Sequence, residues 1–280
     1  MYSIGYEIIP GNYIDKFVGE GNLGSVYIIK NQLGLTSAIK ILDKNIKFNP
    51  GLANSYLKLR SKNIVCLQDY GQIDTGECYL LWEHLDNNLE KILINVNDVN
   101  TACSYILQIL NGLKALEDSE IIHGNIKPSN ILFANHLKIS DWGMINLIPE
   151  SQFFLDRIST GIYFLSPEQL NNELTPLMDS WAASVIFYYM LSGYYPFQGN
   201  TCMEVCNSIL QKDADLYDIP EEVHGFFKIS FQKDKNKRHG SIRKMIEQIN
   251  ALMKNSMPVK KKKISLKKKR KKKRGCITCL

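Results

Sequence analysis

No apolar run in the chain is long enough to cross a bilayer: the longest, Trp181 to Leu191, falls well short of the about 20 residues that a spanning helix needs. No basic and apolar leader opens the sequence either, so a secretory route is not expected. The seven cysteines are an odd number without zinc-finger pairing, and they are scattered over a chain able to bury its own core. This argues against a disulfide scaffold and for a reducing compartment such as the cytoplasm. Acid is missing where base is richest: residues 260–274 hold twelve of the 34 Lys and Arg and none of the 28 Asp and Glu, which leaves 22 − 28 = −6 for the rest. The formal charge of +6 thus averages a mildly acidic body and a basic tail. Glutamate is also absent from Ile41 to Gly76.

What is present suffices for a globular fold. With 45% hydrophobic residues, 14 Tyr, 11 Phe and 3 Trp, the 280 residues can bury one substantial core or two joined lobes. The organising stretch is HGNIKPSN, His123 to Asn130, followed by DWG at Asp141 to Gly143. Residues 131–140 between them read as two short strands about a turn at Ala134, Asn135 and His136, which brings both polar clusters to one place. Phosphoryl transfer needs that arrangement: one segment offers a base and a metal ligand beside the acceptor hydroxyl, the other a carboxylate for magnesium. Asn130 and Asp141 are the candidate metal ligands. Upstream, GEGNLG at Gly19 to Gly24 lies between expected strands at residues 13–18 and 25–30, and glycines there let backbone N–H groups approach phosphate oxygens. Taken alone, such a loop is more often only a turn.

Val26 after the third glycine, SAIK at Ser37 to Lys40, HGNIKPSN and DWG fall in the order and spacing of the eukaryotic protein kinases, which this chain resembles. The resemblance covers about residues 1–256. It implies an α+β, two-lobed fold, with a small sheet-rich lobe at about residues 1–85 and a helical lobe at about 86–254. It also implies ATP and Mg2+ as ligands. Gly19, Gly21 and Gly24 would cover the phosphates, Val26, Ala38 and Leu132 would enclose the adenine, and Lys40 would hold the α- and β-phosphates. Glu83 and Leu85 would form the hinge, with Trp82 as a bulky gatekeeper. Lys127 would touch the γ-phosphate, and Lys-Pro-Ser at 127–129 resembles the serine/threonine branch. Ser166 to Glu168, Asp179 and Arg238 match fold-holding positions, with Glu168 and Arg238 expected to pair.

The departures concern catalysis. Asn125 stands where the family has its catalytic Asp, and an amide cannot accept the acceptor's proton. Gly124 replaces the family's Arg. Gly161 replaces a threonine of the substrate pocket, with Thr160 one place early. No glutamate lies on the short helix expected after Pro50, so Lys40 lacks an obvious clamp partner. The leading expectation is a pseudokinase, a nucleotide-regulated module acting on protein partners such as an active kinase or its substrates. The alternatives are an impaired serine/threonine kinase and a scaffold without nucleotide.

Residues 257–280 read as a disordered polybasic tail ending in GCITCL. Basic residues gain roughly 1 kcal/mol each near an anionic leaflet, which suffices only with a second signal; Cys276 and Cys279 offer one as S-acylation sites. The expected location is the cytoplasmic face of a membrane. A nuclear-import or nucleic-acid patch is the alternative, without an aromatic residue or groove-reading helix beside it.

Overall fold

In the computed structural model the described residues are 1–21, 23–92, 96, 98–148 and 161–256. Thr160, the basic run at 260–274, Cys276 and Cys279 lie outside them.

The N-terminal part is a six-stranded antiparallel sheet: β1 (Glu7–Ile9), β2 (Asn12–Gly21), β3 (Gly24–Asn31), β4 (Thr36–Leu42), β5 (Leu67–Gln72) and β6 (Cys78–Glu83), in the order β1-β2-β3-β4-β6-β5. The glycine-rich segment extends both flanking strands beyond the expected bounds, so the loop between β2 and β3 is a tight hairpin. Period-2 alternation divides the residues of the sheet between its faces. Ile39 and Ile41 of β4 join Ile14, Tyr27, Ile29 and Tyr79 in a small core on one face. Ala38 and Lys40 therefore face the other way. Register extends this face across the sheet, because Lys40 pairs with Val26 and Ala38 with Ile28 and Trp82.

One short helix lies between β4 and β5: α1 (Pro50–Tyr56), seven residues with Asn49 as N-cap and no acid in its first turn. It begins at Pro50, where a proline is pre-set for a first helical position. Below the sheet, α2 (Leu89–Ile92) and α3 (Val99–Glu117) lead to a three-stranded sheet of β7 (Asn87–Asn88), β8 (Ile131–Phe133) and β9 (Leu137–Ile139). The two strands expected within 131–140 thus form, and β8 pairs with β9 around the Ala134 to His136 turn.

Among the described residues the remaining α-helices are α4 (Met144–Leu147), α5 (Pro167–Leu170), α6 (Leu177–Ser192), α7 (Cys202–Gln211), α8 (His224–Ser230) and α9 (Ile242–Ser256). α6 is buried around nearly its whole circumference, as its mostly apolar sequence after Ser180 requires. It forms the axis of the main core. The expected pair is present: the Arg238 guanidinium grips Glu168 in bidentate fashion at 2.7 and 2.6 Å, with side chains only 1% and 4% exposed. Arg238 also stacks over the Trp181 ring, 4.8 Å from its centroid.

Candidate active site

The loop preceding β8 is held from beneath by α6. The Asp179 carboxylate accepts the backbone N–H groups of His123 and Gly124, each at 2.8 Å. Gly124 has φ 74°, in the left-handed region where a side chain costs roughly 1 kcal/mol. The family's Arg is thus replaced by the residue best suited to this backbone. From the other side Gln169, which also caps α5 with Ser166, donates to the Gly124 carbonyl at 3.2 Å. His123 is fully buried and donates from Nε2 to Ser140 O at 2.9 Å, while its Nδ1 accepts the Asn125 N–H at 3.2 Å. Both nitrogens are used by the neutral ring, and burial pushes its pKa down to about 4. His123 is structural.

This scaffold brings the expected residues together in one cleft under the sheet. A phosphate-side cavity of about 250 Å³ is lined by Gly19, Gly21, Gly24, Val26, Lys40, Asn125, Lys127, Asn130 and Asp141. An adenine-side cavity of about 250 Å³ is lined by Val26, Ala38, Lys40, Trp82, Glu83, Leu85, Leu132, Asn130 and Asp141. Val26, Lys40, Asn130 and Asp141 belong to both, so the two are halves of one site. Every nucleotide-side residue expected from the sequence lines one half or the other. Asn130 is buried and donates from its amide nitrogen to Asn125 O at 2.9 Å, which leaves its amide oxygen as the group suited to a cation.

Lys40 differs from the expectation. It has a partner, and that partner is Asp141: Nζ lies 3.0 Å from Oδ2, with side chains 12% and 33% exposed. Burial pushes the Asp141 carboxyl up, but the Lys40 charge and hydrogen bond outweigh it and hold the group below the usual carboxylate range. Asp141 has φ 56°, an uncommon backbone for a non-glycine residue that the ion pair helps to hold. α1 contributes no acid. It is secured by rings instead: Tyr56 packs on Trp142 at 5.4 Å, and Trp142 meets Trp82 edge-on at 5.2 Å while its indole N–H donates to Val65 O at 2.8 Å. Gly143 permits this approach, because a Cβ there would come within 2.6 Å of the Tyr56 ring. Trp82 is thus buried at the edge of the adenine-side cavity and packed against Trp142.

Three contacts add detail that the sequence reading did not give. Lys138 of β9 clamps Glu83 through both carboxylate oxygens, at 2.7 and 2.8 Å, and so ties the hinge to the lower lobe. The Gly161 position faces the catalytic loop: a Cβ added there would sit 3.6 Å from Lys127 Cδ and 3.7 Å from Asn125 Oδ1, ordinary contact distances. The third is Asp179's double grip on the loop. Besides Asp141, the one carboxylate lining the phosphate half among the described residues is Glu20, exposed on the glycine-rich roof. Among the described residues that line this half, Asn125 offers an amide where a carboxylate would serve as base, and the carboxylates are those of Asp141 and Glu20.

Comparison with known proteins agrees with this geometry. A family model described as protein kinase domain matches residues 13–256. An Aurora kinase of Candida glabrata is 32% identical over 225 residues, 75% of this chain and 61% of its own length. Serine/threonine-protein kinase stk11 of Xenopus laevis is 29% identical over 240 residues, 76% of this chain and 54% of its own length. An Aurora kinase of Saccharomyces cerevisiae is 33% identical over 205 residues, 66% of this chain and 54% of its own length. The chain therefore spans little more than half the length of these relatives.

Proposed function

The chain belongs to the protein kinase domain family, and from that premise we propose that it binds ATP with Mg2+ in this cleft but transfers phosphate to protein poorly or not at all, serving as a nucleotide-regulated binding module. The nucleotide part is supported by the fit of the residues. Glycines line the roof, Lys40 and Lys127 bring cations to the phosphate half, and Asn130 and Asp141 offer hard oxygen ligands of the kind magnesium prefers. When bound, Mg·ATP supplies the phosphoryl group and the charge that screens its oxygens. For Lys40 to reach those oxygens, its pairing with Asp141 must loosen.

The observation that carries the weak-transfer reading is Asn125. Its amide stands in the lower wall of the phosphate half, and loss of a positioned base costs on the order of 10²- to 10⁴-fold in rate. A serine/threonine kinase of reduced rate is the second reading, favoured by the convergence of Lys127, Asn130 and Asp141 in one cavity. Protein partners, either an active kinase or its substrates, follow from the regulatory reading. The location we propose is the cytoplasmic face of a membrane, reached through the basic residues of 260–274 together with acyl chains on Cys276 or Cys279. Transfer of labelled γ-phosphate to generic serine/threonine substrates tests the catalytic part. The purified chain should show little, and Asn125→Asp should restore little because Gly161 and the glutamate-free α1 remain. Robust transfer by the unmodified chain, abolished by Asp141→Ala, would overturn it.

A further inference from the structure

The cysteines are scattered along the chain, yet two of them share one side of a helix. Cys202 and Cys206 lie four residues apart on α7, which begins at Cys202 behind the N-cap Thr201. Four residues along an α-helix carry a side chain about 6 Å up the axis and only about 40° around it, so the two thiols stand one above the other. Among the described residues Cys202 is the one exposed cysteine, whereas Cys206 is half-buried at the edge of the face that Val205 and Ile209 bury. The thiols also sense one another: burial pushes the Cys206 thiol up, and the charge of Cys202 raises it further.

Two neighbouring thiols can share a metal or surrender two electrons. A structural metal site takes four ligands as a rule, and no group of three His, Cys, Asp or Glu side chains suited to a metal occurs among the described residues. Oxidation needs only the two sulfurs. Helix geometry sets their Cα atoms about 6.2 Å apart, inside the range of about 4.4–6.8 Å that a disulfide spans. The Cβ atoms, at about 5–6 Å, must close to about 3.5–4.5 Å, so the turn has to tighten by about 1–2 Å. This turn can yield. Cys202 holds the first helical position, whose N–H has no partner within a helix. The side-chain contacts that brace the turn, Glu204 N to Thr201 Oγ1 at 3.2 Å and Asn200 N to Glu204 Oε2 at 2.7 Å, are exposed.

We infer that Cys202 and Cys206 form a reversible redox pair, in which hydrogen peroxide oxidises Cys202 and Cys206 then closes a disulfide across the first turn of α7. In the first step the Cys202 thiolate attacks peroxide; an S–O bond forms, the O–O bond breaks, and hydroxide leaves with the two electrons taken from sulfur. In the second the Cys206 thiolate attacks the Cys202 sulfur, the S–S bond replaces the S–O bond, and a second hydroxide leaves. The two thiol protons turn both hydroxides into water. Order follows from exposure, because Cys202 is the thiol that peroxide can reach. Once Cys202 is a neutral sulfenic acid, one of the two causes that raise the Cys206 thiol is gone, and the second thiol ionises more readily. The bond would form on a helix that packs against the Ile162–Phe164 turn beyond Gly161 and against α5. Neither thiol lines the nucleotide cleft, so the inference does not depend on the nucleotide reading.

The test uses the full 280-residue chain, freed of reductant at neutral pH, treated with a small excess of hydrogen peroxide, alkylated and cut by a protease that cleaves after glutamate. Glu204 lies between the two cysteines, so the fragments Leu174–Glu204 and Val205–Glu221 should stay joined until dithiothreitol separates them. Thioredoxin should release them as well. In Cys206→Ser, Cys202 should accumulate as sulfenic acid, with dimedone labelling about fivefold or more above the unmodified chain. In Cys202→Ser, oxidation of Cys206 should fall about fivefold or more. The inference is overturned if the fragments of the unmodified chain separate without reductant, if thioredoxin leaves the bond intact, or if a Cys202 bridge between two copies is the main product. Unaltered oxidation of Cys206 in Cys202→Ser would overturn the assigned order of the steps and with it the pair.

Discussion

Replacing Asp141 by asparagine tests the cleft most directly, because one change removes both a metal ligand and the partner of Lys40. The pair lies at 3.0 Å with side chains 12% and 33% exposed. Breaking a fully buried pair costs about 3–5 kcal/mol, an exposed one at most about 1 kcal/mol, and a pair one-third open to the cleft falls between, at about 1–2 kcal/mol. At about 2–4 °C per kcal/mol for a domain of this size, the unliganded midpoint should drop by roughly 2–8 °C. The measurement belongs at neutral pH. A carboxyl whose folded pKa is depressed contributes stability that is present above its unfolded value and lost as pH falls through the lower folded one, so the pair acts in full at pH 7. Ligand then separates the roles. With Mg·ATP at 100 times its Kd, the unmodified chain should gain about 2.7 kcal/mol, read as a midpoint rise of roughly 5–10 °C. In Asp141→Asn the magnesium-dependent part of that rise should vanish. ATP with a chelator should bind at least as well as before, since Lys40 is released to the phosphates. Differential scanning fluorimetry with and without magnesium gives all four values. An equal magnesium-dependent rise in the variant would refute the assignment of Asp141, and no rise in the unmodified chain at millimolar ATP would leave the scaffold without nucleotide as the better reading.

Two further outcomes are expected. Glu168→Gln should lower stability by about 3 kcal/mol in urea titration, the low end of the range for a broken buried pair, because Arg238 keeps its bond to Gln232 O and its stacking on Trp181; a loss under about 1 kcal/mol would show that the pair is dispensable. A fluorescent reporter fused to residues 258–280 should mark membranes, and changing Cys276 and Cys279 to serine should abolish the signal, since neither charge nor one chain holds firmly alone; nuclear accumulation of both forms would instead favour import or nucleic-acid binding.

The sequence by itself determined much of the frame, because short-range rules set it. Alternation in β4 placed Ala38 and Lys40 on one face, the turn at Ala134 to His136 set β8 against β9, and the mostly apolar stretch of α6 specified a buried helix. Motif order located the glycine-rich roof, Lys40, Asn130 and Asp141, and the structure brings them into one cleft. The absence of glutamate after Ile41 also told correctly that α1 carries no clamp. What replaces the clamp depended on contacts that no local pattern encodes. Lys40 and Asp141 are 101 residues apart, Glu83 and Lys138 are 55 apart, and the bond from Trp142 to Val65 spans 77. A slab of stacked tyrosines joins Tyr163 to Tyr189 and Tyr195 on α6 and just after it, and α2 sets Glu90 at its rim. Side-chain periodicity tells which face a residue occupies within its own element; which charge or ring meets it across the cleft is settled only when the lobes close around a shared core.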